Sequence, residues 1–576
     1  MSGMTRRVVL ATAVLAAAVA VLLAVSASLP PVPAVLAEGE GDGTIAGALH
    51  VHSNRSDGRR SPDEISAIAA RAGLKFIVFT DHGDATRNPE PPRYLAGVLC
   101  LDGVEISTSG GHYLAFDMPA SPYPLGGEPR DVIEDVHRLG GFGVVAHPDS
   151  PKPELRWREW TAPFDGIEIV NPDTSWRVHL REPQWQPKLR LLKALLAYPL
   201  RPAAAIASLI DESTNVLSRW DAMAPRRRVV GLAGVDAHAK LALKEVDPGD
   251  NRYSIALPSY ESSFRALSVH VHPERPLSGD AAADGRAVIA AIRAGHLYTA
   301  LDGLASPPSF AFTASNQRGS AEAGDQLAAG GPVTLRVRSN APAASETVVL
   351  QGNRVLTSRK GEPDFTFGAP AEPAVYRVAV HALDRLRQPT WILSNPIYVR
   401  GTETRPPADR QPATVTHPLI EGRPNDTWRF ETDPTSLAAL DVVSTPTGTE
   451  LRLRYGLAGG TRGGQFAALA VNTPGGLAAF DRLTFTARAE HPMRISVQIR
   501  VAVKPSEDER WQRSVYIDAV NGERTVYLDD LTPIGDTRTY RPPLADAHSI
   551  VFAIDMTNTK PGDSGRLWIR NVGLQK

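Results

Sequence analysis

The sequence contains one cysteine, Cys100, in 576 residues. A single thiol excludes an intramolecular disulfide framework, a cysteine-rich zinc finger and an iron–sulfur cluster. The chain also lacks an excess of either charge, because 62 basic and 63 acidic residues leave a formal net charge of -1. That balance argues against binding to a nucleic-acid backbone, which requires a basic surface, so we expect no nucleic-acid partner. Any bound metal must be held mainly by histidine, aspartate and glutamate.

Long hydrophobic runs are also rare, and a single stretch, residues 8–29, is long and apolar enough to span a membrane. It follows Arg6 and Arg7, and a small-residue cleavage pattern ends at Ala37. A membrane span needs about 20 residues, and the apolar part of a signal peptide about 7–15. Both a signal peptide and a retained N-terminal membrane anchor fit residues 1–37. Either one predicts an exported protein that is periplasmic, extracellular or membrane-anchored and faces outward.

Residues 38–305 alternate short apolar runs with helical patterns, which is typical of a parallel α/β fold. One such helix should begin at Ser61 as N-cap, with Pro62 and Glu64 in its first turn, and should end at Gly73. Within this region, residues 180–226 predict an inserted helical pair. A packed pair fits the pattern, and so does a lid or membrane-contacting element beside the active site.

After residue 305 the pattern changes to alternating apolar and polar residues between Gly, Pro and Ser turns. Residues 306–402 predict an Ig-like β-sandwich, and residues 403–418 form a Pro-rich linker. Residues 419–576 contain seven or eight strand patterns, enough for a jelly-roll sandwich. The final segment, RLWIRNVGL, resembles galactose-binding-like sandwiches. The expected fold is therefore an α/β domain followed by two all-β sandwich domains.

Eleven of the fifteen histidines precede residue 300, and several follow apolar strand patterns. The motifs are ALHVHSNRSDG, FIVFTDHGD, GVEISTSGGHYLAF, VVAHPD and GLAGVDAHAK. In H-x-H the two histidines are two residues apart, which places both imidazoles on the same face of a strand. Carboxylates at the ends of apolar strands need a cation or strong hydrogen-bond donors, because buried charge is costly when unpaired. The candidate metal ligands are His50, His52, Asp57, His82, Glu105, His112, His147, Asp236 and His238.

This series of motifs resembles the PHP family, the polymerase and histidinol phosphatase metallohydrolases. GIEIVN and WILSNPIYV further resemble its exported carbaryl-hydrolase-like branch. The resemblance implies a distorted (β/α)7 barrel with a trinuclear metal centre. It implies a first metal held by His50, His52, Glu105 and Asp236, a second by Glu105, His112 and His147, and a third by Asp57, His82 and His238. It also implies catalytic roles for Glu105, Asp236 and His238.

The predicted function is an exported phosphoesterase with two or three divalent ions, which can be zinc, manganese or iron because the ligands are nitrogen and oxygen. Paired ions generate metal-bound hydroxide at neutral pH, and a further cation offsets phosphate charge. The substrate would be a small-molecule or surface-polymer phosphoester, and the sandwiches could bind a glycan or a protein. Two alternatives remain, a carboxyl-ester or carbamate hydrolase and a non-catalytic scaffold. Candidate substrate contacts near the motifs are Arg55, Arg60, Arg177 and Lys240.

Overall fold

The computed structural model describes residue 12 and residues 29–37, 43–242, 252–382, 389–401, 412–420, 424–446, 448–460, 463–504 and 507–576. Most of the predicted anchor or signal segment, and residues 403–411 of the predicted linker, lie outside the described residues. Within the described ranges, none of the helices combines the length and apolarity that crossing a membrane requires. The chain forms two compact units. The first comprises residues 1–83, 89–118 and 136–404, and the second comprises residues 84–88, 119–135 and 405–576.

The α-helices that the structure describes beyond a single turn all lie before residue 300, and only short 3-10 helices, Pro424–Asp426, Leu528–Asp530 and Leu544–Asp546, follow. Eight are present there: α1 Pro62–Ala72, α2 Pro129–Arg138, α3 Pro172–Arg181, α4 Trp185–Ala197, α5 Pro202–Ala207, α6 Thr214–Met223, α7 Tyr260–Phe264 and α8 Ala281–Ala294. Helix α1 has the predicted capping box, in which Ser61 Oγ accepts from the Glu64 amide and Glu64 accepts from the Ser61 amide. It ends at Gly73, whose φ of 91° favours glycine. The predicted bounds of this helix are confirmed.

The strands of the α/β region surround the positions of the predicted ligands. They are β1 Ala34–Val35, β2 Ile45–Val51, β3 Phe76–Phe79, β4 Arg93–Leu95, β5 Val98–Asp102, β6 Val104–Thr108, β7 Gly111–Phe116, β8 Phe142–Val145, β9 Gly166–Val170, β10 Val230–Ala233, β11 Leu241–Ala242, β12 Ser254–Ile255, β13 Ser268–Val271, β14 Leu297–Ala300 and β15 Ala305–Ser306.

Two sheets of this region meet at the candidate site. Strands β2, β3 and β5 pair in parallel, as do β8, β9 and β10, while β6, β7 and β8 pair antiparallel. Single bridges join the sheets, between Val51 and Ala237 and between His82 and Glu105. Helices and strands alternate here as predicted, and both sheets contain the expected parallel pairs, but β6, β7 and β8 pair antiparallel, so their sheet is mixed rather than wholly parallel. A two-residue turn at 109–110 joins β6 to β7 directly, and such a turn produces antiparallel pairing.

The first sandwich continues the α/β sheet. Its strands are β16 Phe310–Asn316, β17 Gly319–Glu322, β18 Gln326–Ala328, β19 Val333–Ser339, β20 Glu346–Gln351, β21 Arg354–Lys360, β22 Asp364–Ala369, β23 Ala374–His381, β24 Thr390–Ser394 and β25 Ile397–Arg400. One sheet has the order β17-β16-β19-β22, and the other includes β18-β25-β23-β24. Strand β24 pairs with β14, so this second sheet runs unbroken across residue 305, where we predicted a domain boundary.

The second sandwich consists of two six-stranded sheets with a shared apolar core. Its strands are β26 Thr416–Pro418, β27 Trp428–Thr432, β28 Leu437–Thr445, β29 Gly448–Gly456, β30 Phe466–Asn472, β31 Arg482–Ala489, β32 Met493–Lys504, β33 Glu507–Ile517, β34 Gly522–Tyr527, β35 Thr532–Ile534, β36 Ala547–Asp555 and β37 Ser564–Gln575. Strand β26, from the end of the predicted linker, pairs with β37. The prediction of β-sandwich architecture after the α/β region is confirmed.

A buried ion-pair network lies inside the second unit. The Arg494 side chain is fully buried, with Nε 2.7 Å from Asp135 Oδ2 and Nη2 3.2 Å from Glu134 Oε2. Asp131 is also buried, and Arg513 pairs with it. The segment 119–135 is thus tied to strand β32 through the buried Arg494 and Asp135, with the half-exposed Glu134 at the edge of the network.

We expect Arg494→Met to destabilise the second unit by about 3–5 kcal/mol, because it leaves buried carboxylates without their partner. Denaturant unfolding followed by fluorescence measures the change. Arg566→Met is the matched control, since Arg566 is half-exposed and its carboxylate partner is 4.0 Å away. The control should change stability by about 0.5 kcal/mol or less. Equal effects of the two substitutions would contradict a stabilising role for the network.

Candidate metal centre

The nine predicted ligands come from strand ends and adjacent loops of the α/β region. His50 lies in β2 and His52 directly after it, Glu105 is in β6, and His112 is in β7. The remaining ligands lie in the segments that follow β2, β3, β8 and β10: Asp57, His82, His147, Asp236 and His238. Because these strand ends meet at one edge, the structure brings all nine side chains together.

Glu105 lies at the centre of the cluster and is almost fully buried. Five imidazoles surround its carboxylate. The nitrogen-to-oxygen distances are 3.1 Å for His50 and His52, 3.4 Å for His82, 2.7 Å for His112 and 2.9 Å for His147. A single carboxylate among five imidazoles is suited to bridging cations.

Four overlapping groups of donor atoms could each hold a metal ion. They are His52, Asp57, His82 and His238; His50, His52 and Asp236; His50, Glu105 and His147; and His82, Glu105 and His112. Within each group the donor atoms lie within 4.8 Å of one another. All nine predicted ligands belong to at least one group. His52 belongs to two groups, with Nε2 facing Glu105 and Nδ1 3.5 Å from Asp57.

His52 provides the clearest test of whether these residues suit a metal. It is fully buried, and although Nε2 lies 3.1 Å from Glu105 and Nδ1 3.5 Å from Asp57, neither ring nitrogen makes a hydrogen bond of good geometry among the described residues. Burial, together with the nearby charge of His238, lowers the pKa of His52 to about 4. The ring is therefore neutral at pH 7 and has a free lone pair, which is the form that binds a cation. A buried polar atom without a partner is costly, and a metal ion would satisfy it. The residues fit a metal centre.

Glu168, which the sequence analysis did not select, orients two of the ligands. Its Oε1 lies 2.5 Å from His50 Nδ1, and its Oε2 accepts from the His147 amide at 2.6 Å. Asn171 donates to Glu168 at 2.9 Å and to Asp236 at 3.2 Å. Carboxylates commonly hold the second nitrogen of a metal-binding histidine in this way. The strand GIEIV was visible in the sequence, but its inward-facing carboxylate was not recognised as a partner.

Asp81 holds the loop that carries Asp57. Its Oδ1 accepts from the Ser53 amide at 2.8 Å and from Ser56 Oγ at 2.7 Å, and its Oδ2 accepts from Ser53 Oγ at 2.7 Å. These bonds fix residues 53–57 between β2 and β3. Asp57 then lies 3.3 Å from His238 Nε2.

Three ligands have left-handed backbone conformations that side chains rarely adopt. The φ angles are 63° at His50, 29° at His147 and 52° at Asp236. Each such residue costs about 1–3 kcal/mol, and these conformations cluster at functional sites. The strained backbone conformations therefore lie at the positions where the ligand side chains converge.

Neighbouring groups of opposite charge shift the pKa values of several side chains in the cluster. Burial favours the neutral form of Glu105, but the charges of His50 and His82 and hydrogen bonds from His112 and His147 hold its pKa well below the usual value. For His238, burial is outweighed by the hydrogen bond and charge of Asp57 and by the charge of Asp236, which raise its pKa to about 9. The pKa of His50 and of His147 is likewise raised despite burial, through neighbouring carboxylates.

Metal binding should therefore release protons and strengthen as pH rises from about 6.5 to 9. In the metal-free protein His238 is protonated at pH 7, and a cation must displace that proton. Each displaced proton changes affinity about tenfold per pH unit. Zinc competition titrations at pH 6.5, 7.5 and 8.5 measure this, and proton release can be obtained by calorimetry in two buffers. An affinity that does not change with pH would contradict protonated ligands.

Three of the four predicted substrate contacts, the arginines, are paired with carboxylates. Arg55 pairs with Glu90 and lies 3.4 Å from Asp102, and Arg60 pairs with Glu64 at 2.8 Å. Arg177 pairs with Asp173 at 2.6 Å. Lys240 is half-buried, two residues after His238. None of these arrangements identifies a substrate contact, and the four assignments stay predictions.

Two further features were not found from the sequence. His296, Glu322 and Asp325 form a fifth donor group, and His272 Nδ1 lies 2.8 Å from Glu322. His272 follows β13, His296 precedes β14, and Glu322 and Asp325 lie at the end of β17 and in the turn to β18, so sequence spacing gave no signal. A cavity of about 290 Å³ is lined by residues that include Glu212, Thr299 and Trp391, and by none of the nine ligands.

Comparison with known proteins gives partial matches. No family model matches the chain. An uncharacterized protein of Methanocaldococcus jannaschii is 27% identical over 137 residues, which cover 21% of this chain and 80% of that protein. A protein of Sphingobium xenophagum named 1,2-dihydroxynaphthalene dioxygenase is 28% identical over 158 residues, covering 26% of this chain and 46% of that protein. The chain thus spans less than half of the second relative.

Two similar solved structures each cover 28% of the chain. A family 11 carbohydrate-binding module of Clostridium thermocellum in complex with a mixed-linked tetrasaccharide has a TM-score of 0.24, with 16% identity, 28% coverage of this chain and 93% of that chain. An exo-β-agarase has a TM-score of 0.21, with 13% identity, 28% coverage of this chain and 25% of that chain. At these scores the likeness supports no conclusion about ligand or activity.

Proposed function

We propose that the protein is a metal-dependent phosphoesterase that acts outside the cytoplasm. The observation that carries this proposal is the convergence of six histidines and three carboxylates, Glu105 among them, into four overlapping donor groups. Ionisable residues are rarely buried together without a strong reason, and a metal centre is the main one. The order of the motifs, which resembles the PHP family, supports the same proposal. A PHP-type (β/α)7 barrel is part of it.

Two or three divalent ions would be held by the overlapping donor groups. His50, His52, Glu105 and Asp236 would hold the first ion, and Glu105, His112 and His147 the second. Asp57, His82 and His238 would hold a third. Zinc, manganese or iron would suit these nitrogen and oxygen donors. When bound, adjacent cations supply Lewis acidity and a nucleophile at neutral pH.

The protein's own residues would keep this centre in one arrangement. Glu168 would hold His50 in the tautomer that presents Nε2 to the cation, because Nδ1 is hydrogen-bonded. Asp81 would keep Asp57 near His238 through the serine hydroxyls of the loop. The strained backbone at His50, His147 and Asp236 would be maintained by these surrounding bonds.

A phosphoester substrate is favoured over a carboxyl ester by the number of donor groups. A phosphoryl group carries several charged oxygens, which an additional cation beside a pair can stabilise. The group of His52, Asp57, His82 and His238 provides that extra position. A carboxyl or carbamate ester develops one oxyanion, for which two cations suffice. The natural substrate would be a small molecule or a surface polymer, and a glycan or protein ligand of the second sandwich stays a prediction.

A hydrolysis screen of the metal-loaded full chain tests the proposal. The substrates are p-nitrophenyl phosphate, bis(p-nitrophenyl) phosphate, p-nitrophenyl acetate and a p-nitrophenyl carbamate, each with and without chelator. We expect chelator-sensitive hydrolysis of a phosphoester and two or three metals per chain by elemental analysis. Hydrolysis of the carboxyl substrates alone would favour the carboxyl-ester alternative. Less than one metal per chain after reconstitution would favour the non-catalytic scaffold.

A further inference from the structure

Helix α4 exposes an apolar stripe. Trp185, Leu189, Leu192, Leu196 and, in the following turn, Leu200 recur every three or four residues, so they share one face. They are 67%, 37%, 51%, 66% and 71% exposed, whereas the buried residues of the helix are alanines. A surface helix normally turns its large apolar side chains inward. This helix does the opposite, and such exposed patches mark interaction surfaces.

The charged side chains carried by α4 itself have one sign. Residues 183–210 contain no aspartate or glutamate, and they include Lys188, Arg190, Lys193 and Arg201. Lys188 and Lys193 are exposed on α4, while Arg190 pairs with Asp211 at 2.7 Å. Tryptophan, leucine and lysine on one helix without acidic residues are typical of a helix that lies in the surface of an anionic bilayer.

The apolar N-terminal run ends beside the same helix. Leu29, its last residue, packs against Ala194, Ala197 and Ala205 on the inner side of α4 and α5. Arg201 Nη1 donates to the Pro30 carbonyl at 2.5 Å. Residues 8–29 are numerous and apolar enough to cross a bilayer, which takes about 20 residues of helix. The described end of this run, Leu29, lies against the inner side of α4.

The segment after the run is part of the fold, which favours a retained anchor over a cleaved signal. Strand β1 pairs in parallel with β15. The Ala34 and Leu36 amides donate to Leu304 and Ser306 at 2.9 Å, and Asn340 donates to the Ala37 carbonyl at 3.1 Å. Cleavage after Ala37 would remove these bonds. The paired segment holds the end of residues 8–29 next to α4.

We propose that the apolar stripe of α4 lies in the surface of an anionic bilayer, on the same side of the first unit as Leu29. The large side chains enter the boundary between headgroups and acyl chains, and Lys188 and Lys193 contact anionic phosphates. Helix α4 thus holds the first unit at the membrane as an interfacial helix. This inference does not depend on the hydrolase proposal, because no ligand of the metal centre takes part in it.

Spin-label accessibility on the full chain in vesicles tests this arrangement. Cys100 is buried, so a cysteine introduced by Leu192→Cys can be labelled selectively. Val355→Cys is the matched control, since Val355 is 56% exposed in the hairpin of β20 and β21. In vesicles of phosphatidylcholine with phosphatidylglycerol, we expect the label at 192 to lie about 5–10 Å below the headgroups and to favour oxygen over a water-soluble relaxant. The label at 355 should show the reverse preference.

The charge requirement is tested by adding Lys188→Glu and Lys193→Glu to Leu192→Cys. With this change, the label at 192 should become accessible to the water-soluble relaxant. In vesicles without phosphatidylglycerol, the label on the chain with both lysines should become partly accessible to it. Equal accessibility of labels at 192 and 355 to the water-soluble relaxant would overturn the proposal. Dipolar broadening between labels at 192 would also overturn it, because a second copy of the chain would then cover the stripe.

Discussion

Glu105→Gln is expected to remove at least one metal per chain and to lower phosphoester hydrolysis by about 1,000-fold or more. Glutamine has nearly the same size, but it lacks the charge that five imidazoles face. Its amide would also place a donor where His112 and His147 lie 2.7 and 2.9 Å from the carboxylate. Elemental analysis and the rate on bis(p-nitrophenyl) phosphate measure the two effects.

Because Glu105 is buried, a loss of folding must be separated from a loss of metal binding. Thermal unfolding of both proteins in chelator provides that separation, since it compares the metal-free states. Glu261→Gln is a control, because Glu261 is exposed and pairs only with surface arginines in the described part of the chain. A folded Glu105→Gln protein with normal metal content and activity would refute the bridging role.

Asp57→Asn is expected to lower kcat/KM on a phosphoester by about 100-fold or more, within the range for one lost electrostatic stabiliser. The loss on a carboxylic ester should be much smaller. Asp57 faces His52, His82 and His238, and it belongs to no donor group that includes Glu105. The substitution should therefore weaken the third metal position first. Equal losses on both substrates would leave that position without a phosphate-specific role.

A second measurement on Asp57→Asn does not depend on activity. In the metal-free protein, the hydrogen bond and charge of Asp57 help to raise the pKa of His238 to about 9. Removing that charge should bring the pKa of His238 down toward 6.5, and an NMR titration of the imidazole detects the change. The pKa is expected to fall because a neighbouring carboxylate stabilises the protonated imidazole, and the substitution removes that stabilisation. An unchanged titration would place Asp57 away from His238.

The sequence predicted the candidate ligands because each follows a local pattern. A run of apolar residues defines a buried strand, and a polar residue at its end lies at the edge where strands meet. His82 and His147 were recognised in this way, without knowledge of their neighbours. Helix α1 was predicted to the residue for the same reason, since capping is decided by Ser61, Glu64 and Gly73 alone.

The partners of those ligands were not predictable, because they depend on contacts between distant residues. Glu168 lies 118 residues from His50 in sequence and 2.5 Å from it in space. The arginines chosen as substrate contacts were selected by proximity to motifs, yet Arg55 and Arg177 pair with carboxylates of their own surroundings. Side-chain pairing across elements is a tertiary property that spacing along the chain does not encode.

From the sequence alone came the α/β class, the β-sandwich architecture and the candidate ligand set, because periodicity and motif order are local. Strand pairing between distant segments and the choice of which helix face is covered were decided only by the tertiary structure, because both depend on contacts between residues far apart in sequence. Strand β24 pairs with β14, so the sheet crosses the predicted boundary at 305. The antiparallel pairing of β6 and β7 follows from their short turn. Helix α4 turns its leucines outward, because its alanines pack against the fold and only the assembled surroundings show which face is covered.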